Sequence, residues 1–145
     1  MQRRKLCALL SVTMALGLVL GTAVARATYP EATVLYEGHT TVLGQAIAYP
    51  SGTPEITGVI VTMAPGHSTG WHEHDAPLFA YMLEGELTVD YGPAGKRRYV
   101  AGEALLEAID VAHDGTNTGS TTTRILAVFI GAEGVANTTS MDAPN

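Results

Sequence analysis

The sequence predicts an all-β domain folded as a sandwich or barrel. Three observations predict it. Past Ala27, short runs of β-branched and aromatic residues are punctuated by Gly and Pro. No stretch there sustains the i, i+3, i+4 apolar spacing of a stable helix. Two runs, Val59/Val61/Met63 and Leu126/Val128/Ile130, place apolar residues at every second position, which lets a strand bury one face. A closed or stacked sheet is favoured because it hides strand edges.

In chain order, residues 1–27 read as an export signal. Arg3, Arg4 and Lys5 precede an uncharged, mostly apolar run over 6–24, and Ala23-Val24-Ala25 and Ala25-Arg26-Ala27 supply small residues for a peptidase. Cleavage is expected after Ala27. The competing reading is an uncleaved anchor, since the run approaches the roughly 18–20 residues that span a bilayer. Ser11, Thr13, Gly17, Gly21 and Thr22 dilute it. Either way the domain lies outside the cytoplasm, periplasmic or secreted, and Arg3-Arg4 hints at twin-arginine export.

The domain proper is expected over 28–132. Strands are predicted at 32–36, 41–49, 55–63, 71–74, 78–83, 86–91, 96–100, 104–109, 113–117 and 122–130. Turns fall between them at Pro50-Ser51-Gly52, Pro65-Gly66, Gly92-Pro93, Ala101-Gly102 and Thr118-Gly119-Ser120. From 133 to 145 the chain becomes small and polar, and this tail is expected to fray. No internal repeat or second domain is visible.

Composition narrows the chemistry. The only cysteine, Cys7, lies within the signal, so the mature chain has neither disulfides nor thiolate ligands, and any metal must take N or O donors. From Thr28 onward there are four basic residues (Lys96, Arg97, Arg98, Arg124) against fourteen acids, 4 − 14 = −10. Such a surface repels phosphate backbones and anionic lipid, which disfavours nucleic-acid and membrane partners. The cluster Lys96-Arg97-Arg98 reads as a solvated strand behind a turn.

Within Gly70-Trp71-His72-Glu73-His74, the two histidines leave an extended strand by the same face. Gly66 is followed by five residues and His72, then His74, ten residues and Gly85; downstream come Gly102, His113, three residues and Asn117. This pair of spacings resembles the two signature motifs of the cupin superfamily, in the small single-domain form. The resemblance covers most of the mature chain and implies a jelly-roll barrel, or double-stranded β-helix. It also implies that His72, His74 and His113 converge on one divalent metal. Neutral imidazoles suit Fe, Mn, Ni, Cu and Zn, so the donor chemistry agrees.

The sequence departs from the family pattern in three places. Leu78 stands where the first motif usually carries a ligating glutamate, and Ala108 and Asp110 replace the usual proline and glycine of the second. The centre is therefore either a three-histidine site with open positions or one in which another carboxylate substitutes. Glu107 is the candidate: the family generally has an inward apolar residue there, and a buried unpaired carboxylate would be costly unless a cation lay close. Glu107 can equally be a hydrogen-bond partner of an imidazole N–H, or point outward into solvent.

His67 sits in a Gly-flanked loop from which it can reach the barrel mouth, though an exposed position is the simpler expectation. His39 is expected at the surface and Glu73 in solvent. Trp71, Phe79, Tyr81 and Met82 are pocket or core residues. Three functions are compatible: an exported metal-dependent enzyme, such as an oxygenase, acting on a small molecule; a non-catalytic binding module; and a metal-free barrel serving self-association. A homodimer fits all three.

Overall fold

The structure, a computed structural model, describes residues 30–144. The expected signal segment, 1–27, with Cys7 and the expected cleavage point after Ala27, lies outside the described residues. Among the described residues nine strands follow in chain order: β1 (Pro54–Met63), β2 (His72–Glu73), β3 (Leu78–Glu84), β4 (Glu86–Asp90), β5 (Lys96–Val100), β6 (Ala104–Leu106), β7 (Asp114–Thr116), β8 (Thr123–Ala132) and β9 (Thr139–Ser140). One 3-10 turn, Gly92–Ala94, joins β4 to β5. No α-helix occurs among the described residues.

The strands form an antiparallel sheet ordered β1-β8-β3-β6, a second ordered β5-β4-β7, and a small pair, β2-β9. The longest pairing, β1 with β8, runs from Pro54↔Ala132 to Met63↔Thr123. Side chains from the two larger sheets meet in a core that includes Met63, Met82, Val89, Tyr91, Leu105 and Ile125. Across β4 and β5 the basic cluster is matched by acids. Lys96 Nζ lies 2.9 Å from Asp90 Oδ2, and Arg98 pairs with Glu86.

Three expectations are corrected. Residues 32–36 and 41–49 form no strand. Only an isolated Thr40↔Ala46 bridge occurs there, closing a turn in which Thr41 N donates to Gln45 O at 2.9 Å. Their β-branched residues have the propensity, but the second segment meets the edge strand β6 through only one backbone bond, Val42 N to Leu106 O at 2.8 Å, and the Gln45 side chain holds it through both backbone groups of Ile109.

The second correction concerns β8. Leu126, Val128 and Ile130 face outward and are half-buried, whereas Ile125, Ala127 and Phe129 face the core. Both alternating sets are apolar, so period alone cannot say which points inward. The register decides it: Met63 opposite Thr123 places Val61 beside Ile125 on the inner face. On β1, Val59 shares that face but remains 38% exposed.

The third concerns the polar C-terminal stretch. Residues 133–144 do not hang free: Thr139 and Ser140 pair with Glu73 and His72, and Met141 N donates to Trp71 O at 3.0 Å. Composition conceals this because the segment is held by backbone groups rather than apolar side chains.

Candidate metal centre

The two histidine motifs are stitched together by the backbone. His72 N donates to His113 O at 2.9 Å, and His113 N donates to His72 O at 2.8 Å. Side chains of such a directly opposed pair share one side of the ladder. His74 follows two residues after His72 and turns to the same side. The three rings consequently cluster, with centroids 4.5 Å (His72–His113), 4.9 Å (His72–His74) and 5.0 Å (His74–His113) apart. One ring nitrogen from each lies within 4.8 Å of the others.

Hydrogen bonds determine which nitrogens those are. Each Nδ1 faces a backbone carbonyl: His72 that of Gly70 at 2.7 Å, His74 that of Asn137 at 2.8 Å, and His113 that of Val111 at 2.8 Å. A carbonyl only accepts, so in a neutral ring Nδ1 carries the proton and Nε2 keeps its lone pair. Three unprotonated Nε2 atoms are thus presented to one space. Burial supports the neutral state by penalising the imidazolium: it lowers the His72 pKa and pulls that of His74 down to about 4. This donor set fits a first-row transition ion, with the carbonyls holding ring orientation.

The centre opens into a cavity of about 260 Å³. Its walls are mainly apolar, with Val61, Leu78, Leu87, Val89, Ile125 and Phe129 among them. Among the described residues, no lysine or arginine lines it. Leu78, at the position of the family's usual glutamate, does face inward. Directly across the ladder sits Glu107, whose N–H donates to Leu78 O at 2.9 Å. A carboxylate is thus present on the strand next to the one that usually bears it.

Glu107 is only 6% exposed. Its Oε1 accepts from Tyr91 Oη at 2.7 Å and from Ala108 N at 2.8 Å, while Oε2 lies 4.0 Å from His113 Nε2. One oxygen is tied to the fold and the other is turned toward the histidines. Tyr91, 1% exposed, is held as a neutral phenol: burial, then the Glu107 charge, drives its pKa upward.

The remaining sequence candidates separate clearly. His67 and His39 are exposed and line no part of the cavity, and Glu73 is half-buried outside it. Trp71 lines the cavity, Met82 is in the core, and Phe79 lies on the opposite face of β3 from the cavity-lining Leu78 and Ala80, edge-on to Tyr36. Asn117, fully buried, is structural: its amide donates to Met63 O and Thr121 O and accepts from Gly119 N. Asp110 adopts φ +53°, the left-handed conformation open to the glycine usual at that position and tolerated by Asp.

Sequence reasoning missed Tyr91, Thr138, Ser140 and the Asn137 carbonyl. Tyr91 was accessible, because it continues the inward alternation of Leu87 and Val89. A backbone carbonyl has no signature in the residue letters.

Comparison with known proteins agrees with this geometry. Residues 59–129 match the family model of the cupin domain. No curated protein matches the chain. Among solved structures, the chain is similar to the oxalate decarboxylase of Lactobacillus farciminis, at 23% identity and a TM-score of 0.52, over 59% of this chain and 26% of that one. The oxalate decarboxylase of Bacillus subtilis, a protein with Mn(II) centres, matches at 24% identity and a TM-score of 0.50, over 63% of this chain and 24% of that one. The DMSP lyase DddQ of Ruegeria pomeroyi matches at 20% identity and a TM-score of 0.52, over 59% and 43%. Each match spans less than half of the neighbour's own length, and at these identities the likeness is one of fold.

Proposed function

Given that this chain belongs to the cupin family through residues 59–129, we propose that it is an exported protein that binds one divalent transition metal through His72, His74 and His113 and acts on a small, largely apolar molecule as a metal-dependent enzyme. The observation carrying this reading is the set of three Nδ1–H groups engaged by carbonyls, which leaves three Nε2 lone pairs converging. Three protein ligands leave positions open to a substrate, whereas a structural site is usually closed. Bound there, the ion supplies Lewis acidity or, if redox-active, a route to oxygen chemistry.

The chain's own residues define what can enter. At about 260 Å³ the cavity accommodates on the order of ten non-hydrogen atoms, taking about 30 Å³ for each as for water. Its apolar walls exclude water and favour a compact molecule with one or two oxygen donors at the histidine end. Among the described residues the lining contains no lysine or arginine, which leaves a small dianion such as oxalate without a cationic partner beyond the metal and disfavours it.

Glu107 is the carboxylate of the centre. With Oε1 fixed by Tyr91 and Ala108, Oε2 is free to face the ion or to hold a proton of a molecule bound beside His113. Export is supported by the arrangement of residues 1–27. The same apolar lining favours a second reading, a non-catalytic module retaining a small ligand or its metal.

Loading the metal-free protein anaerobically with Fe²⁺, Mn²⁺, Ni²⁺, Cu²⁺ or Zn²⁺ tests the proposal. Oxygen uptake and product formation are then measured with neutral oxygen-bearing molecules of up to about ten non-hydrogen atoms. Turnover that disappears in Glu107→Gln is expected. Tight retention of a ligand without turnover by any loaded form would establish the binding module instead.

A further inference from the structure

The C-terminal stretch beyond β8 holds one of the metal ligands in place and yet contributes little to the fold. Asn137 O accepts the Nδ1 proton of His74 at 2.8 Å. Thr138 and Ser140 line the cavity. β9 pairs with β2, the strand bearing His72, and Met141 N reaches Trp71 O. At the far end Pro144 sits against Gly92, so close that a Cβ there would come within 2.6 Å of its ring. The stretch therefore crosses the histidine end of the barrel as a strap.

Its attachment is thin. The buried apolar residues of the domain end at Ala132, Met141 is 40% exposed, and the β2-β9 ladder is two residues long. Segments held by a few peripheral hydrogen bonds open at low free-energy cost. The barrel core requires none of these residues, but the orientation and tautomer of His74 depend on one of their carbonyls.

We infer that strap and metal centre are thermodynamically coupled: the docked strap orders His74 for the ion, and the bound ion holds the strap down. This rests on the metal-binding reading above and extends it. A ligand that favours one of two states shifts the equilibrium by its differential affinity, and the coupling is reciprocal. Partners that orient a ligating histidine typically contribute 10- to 100-fold to metal affinity. The same factor applies to strap docking. Metal loading thereby closes one wall of the cavity, and release of the strap becomes a route to metal exchange and substrate entry.

Zn²⁺ serves as the probe. In the full chain, saturating Zn²⁺ is expected to slow hydrogen exchange at the Met141 amide by about 10- to 100-fold, beyond any change at the core amides of β3 and β8. Met141→Pro, which deletes that donor at an exposed position, is expected to weaken Zn²⁺ binding at least fivefold, roughly, with little change in the melting of the metal-free protein. A chain ending at Val135 should lose about 10- to 100-fold in Zn²⁺ affinity. Unchanged Met141 exchange with Zn²⁺ bound would overturn the coupling while leaving the metal centre intact. A full chain that takes up no Zn²⁺ or other first-row ion would overturn both. If the shortened chain does not fold, the exchange measurement on the full chain decides.

Discussion

Acidification of the metal-free protein should destabilise it as pH falls from 6.5 toward 4. Burial lowers the pKa of His74 from 6.5 to about 4 and that of His72 in the same direction. A histidine depressed in this way binds fewer protons folded than unfolded, so stability is full above the unfolded pKa and is lost as pH falls through 6.5 toward the folded value. For His74 the interval between 6.5 and about 4, at about 1.4 kcal/mol for each pH unit, amounts to about 3 kcal/mol. Roughly 2 kcal/mol of this falls between pH 6.5 and 4.5, and His72 adds to it. Two ion-paired carboxylates act below that window. Glu86 is held down to about 2, first by its hydrogen bond to Arg98, and Asp90 is lowered by Lys96, so both lose stability only at lower pH. Urea denaturation at constant ionic strength, in chelator, at half-unit intervals from pH 7.5 to 4.5 measures the slope. A fall of this size is expected, equivalent to roughly 10 °C in Tm, and should largely disappear in His74→Phe. A flat profile, or an equal slope in His74→Phe, would refute the argument that His74 is buried neutral.

Three further substitutions probe separate parts of the structure. His72→Ala should release the bound metal and lower Tm in excess metal by the lost binding energy, while the chelated protein melts close to its own wild-type control; elemental analysis and paired melts decide this. Asn117→Ala removes two donated bonds and one accepted bond at a fully buried site and should cost about 2–4 kcal/mol in urea denaturation, leaving metal stoichiometry unchanged. Gly85→Ala should cost at least about 2 kcal/mol: Gly85 has φ +77°, and a Cβ there would lie 2.6 Å from Thr123 Oγ1 and 2.7 Å from Thr122 O. Soluble Gly85→Ala of wild-type stability would show that this approach between β3 and β8 is not rigid.

Much of the fold was legible where strand period and turn residues agreed. The predicted strands over 55–63, 78–83, 86–91 and 96–100 closely match β1, β3, β4 and β5, each bounded by Gly or Pro. Legibility ended where a local signal needed a partner to resolve it. Residues 32–36 and 41–49 carry β-propensity without forming a ladder, and β8 is apolar on both faces, so only register could orient it. At the centre, the shared face of His72 and His74 was readable from strand alternation, and their convergence with His113 from spacings that resemble the cupin motifs. The inward placement of Glu107 was one of three open alternatives, suggested by the family resemblance and decided only by the structure. The inward side of Tyr91 was within reach of the alternation, but its contact with Glu107 and the role of Asn137 were not, since one joins separate strands and the other is made by backbone.

The central claim is that three Nε2 atoms share one ion. The most direct measurement is anomalous diffraction, at the absorption edge of the loaded metal, from crystals of protein purified without an affinity tag. The account predicts one peak per chain, about 2.0–2.2 Å from Nε2 of His72, His74 and His113. An empty cluster at saturating metal, or a peak at Nδ1 or away from these rings, would contradict it.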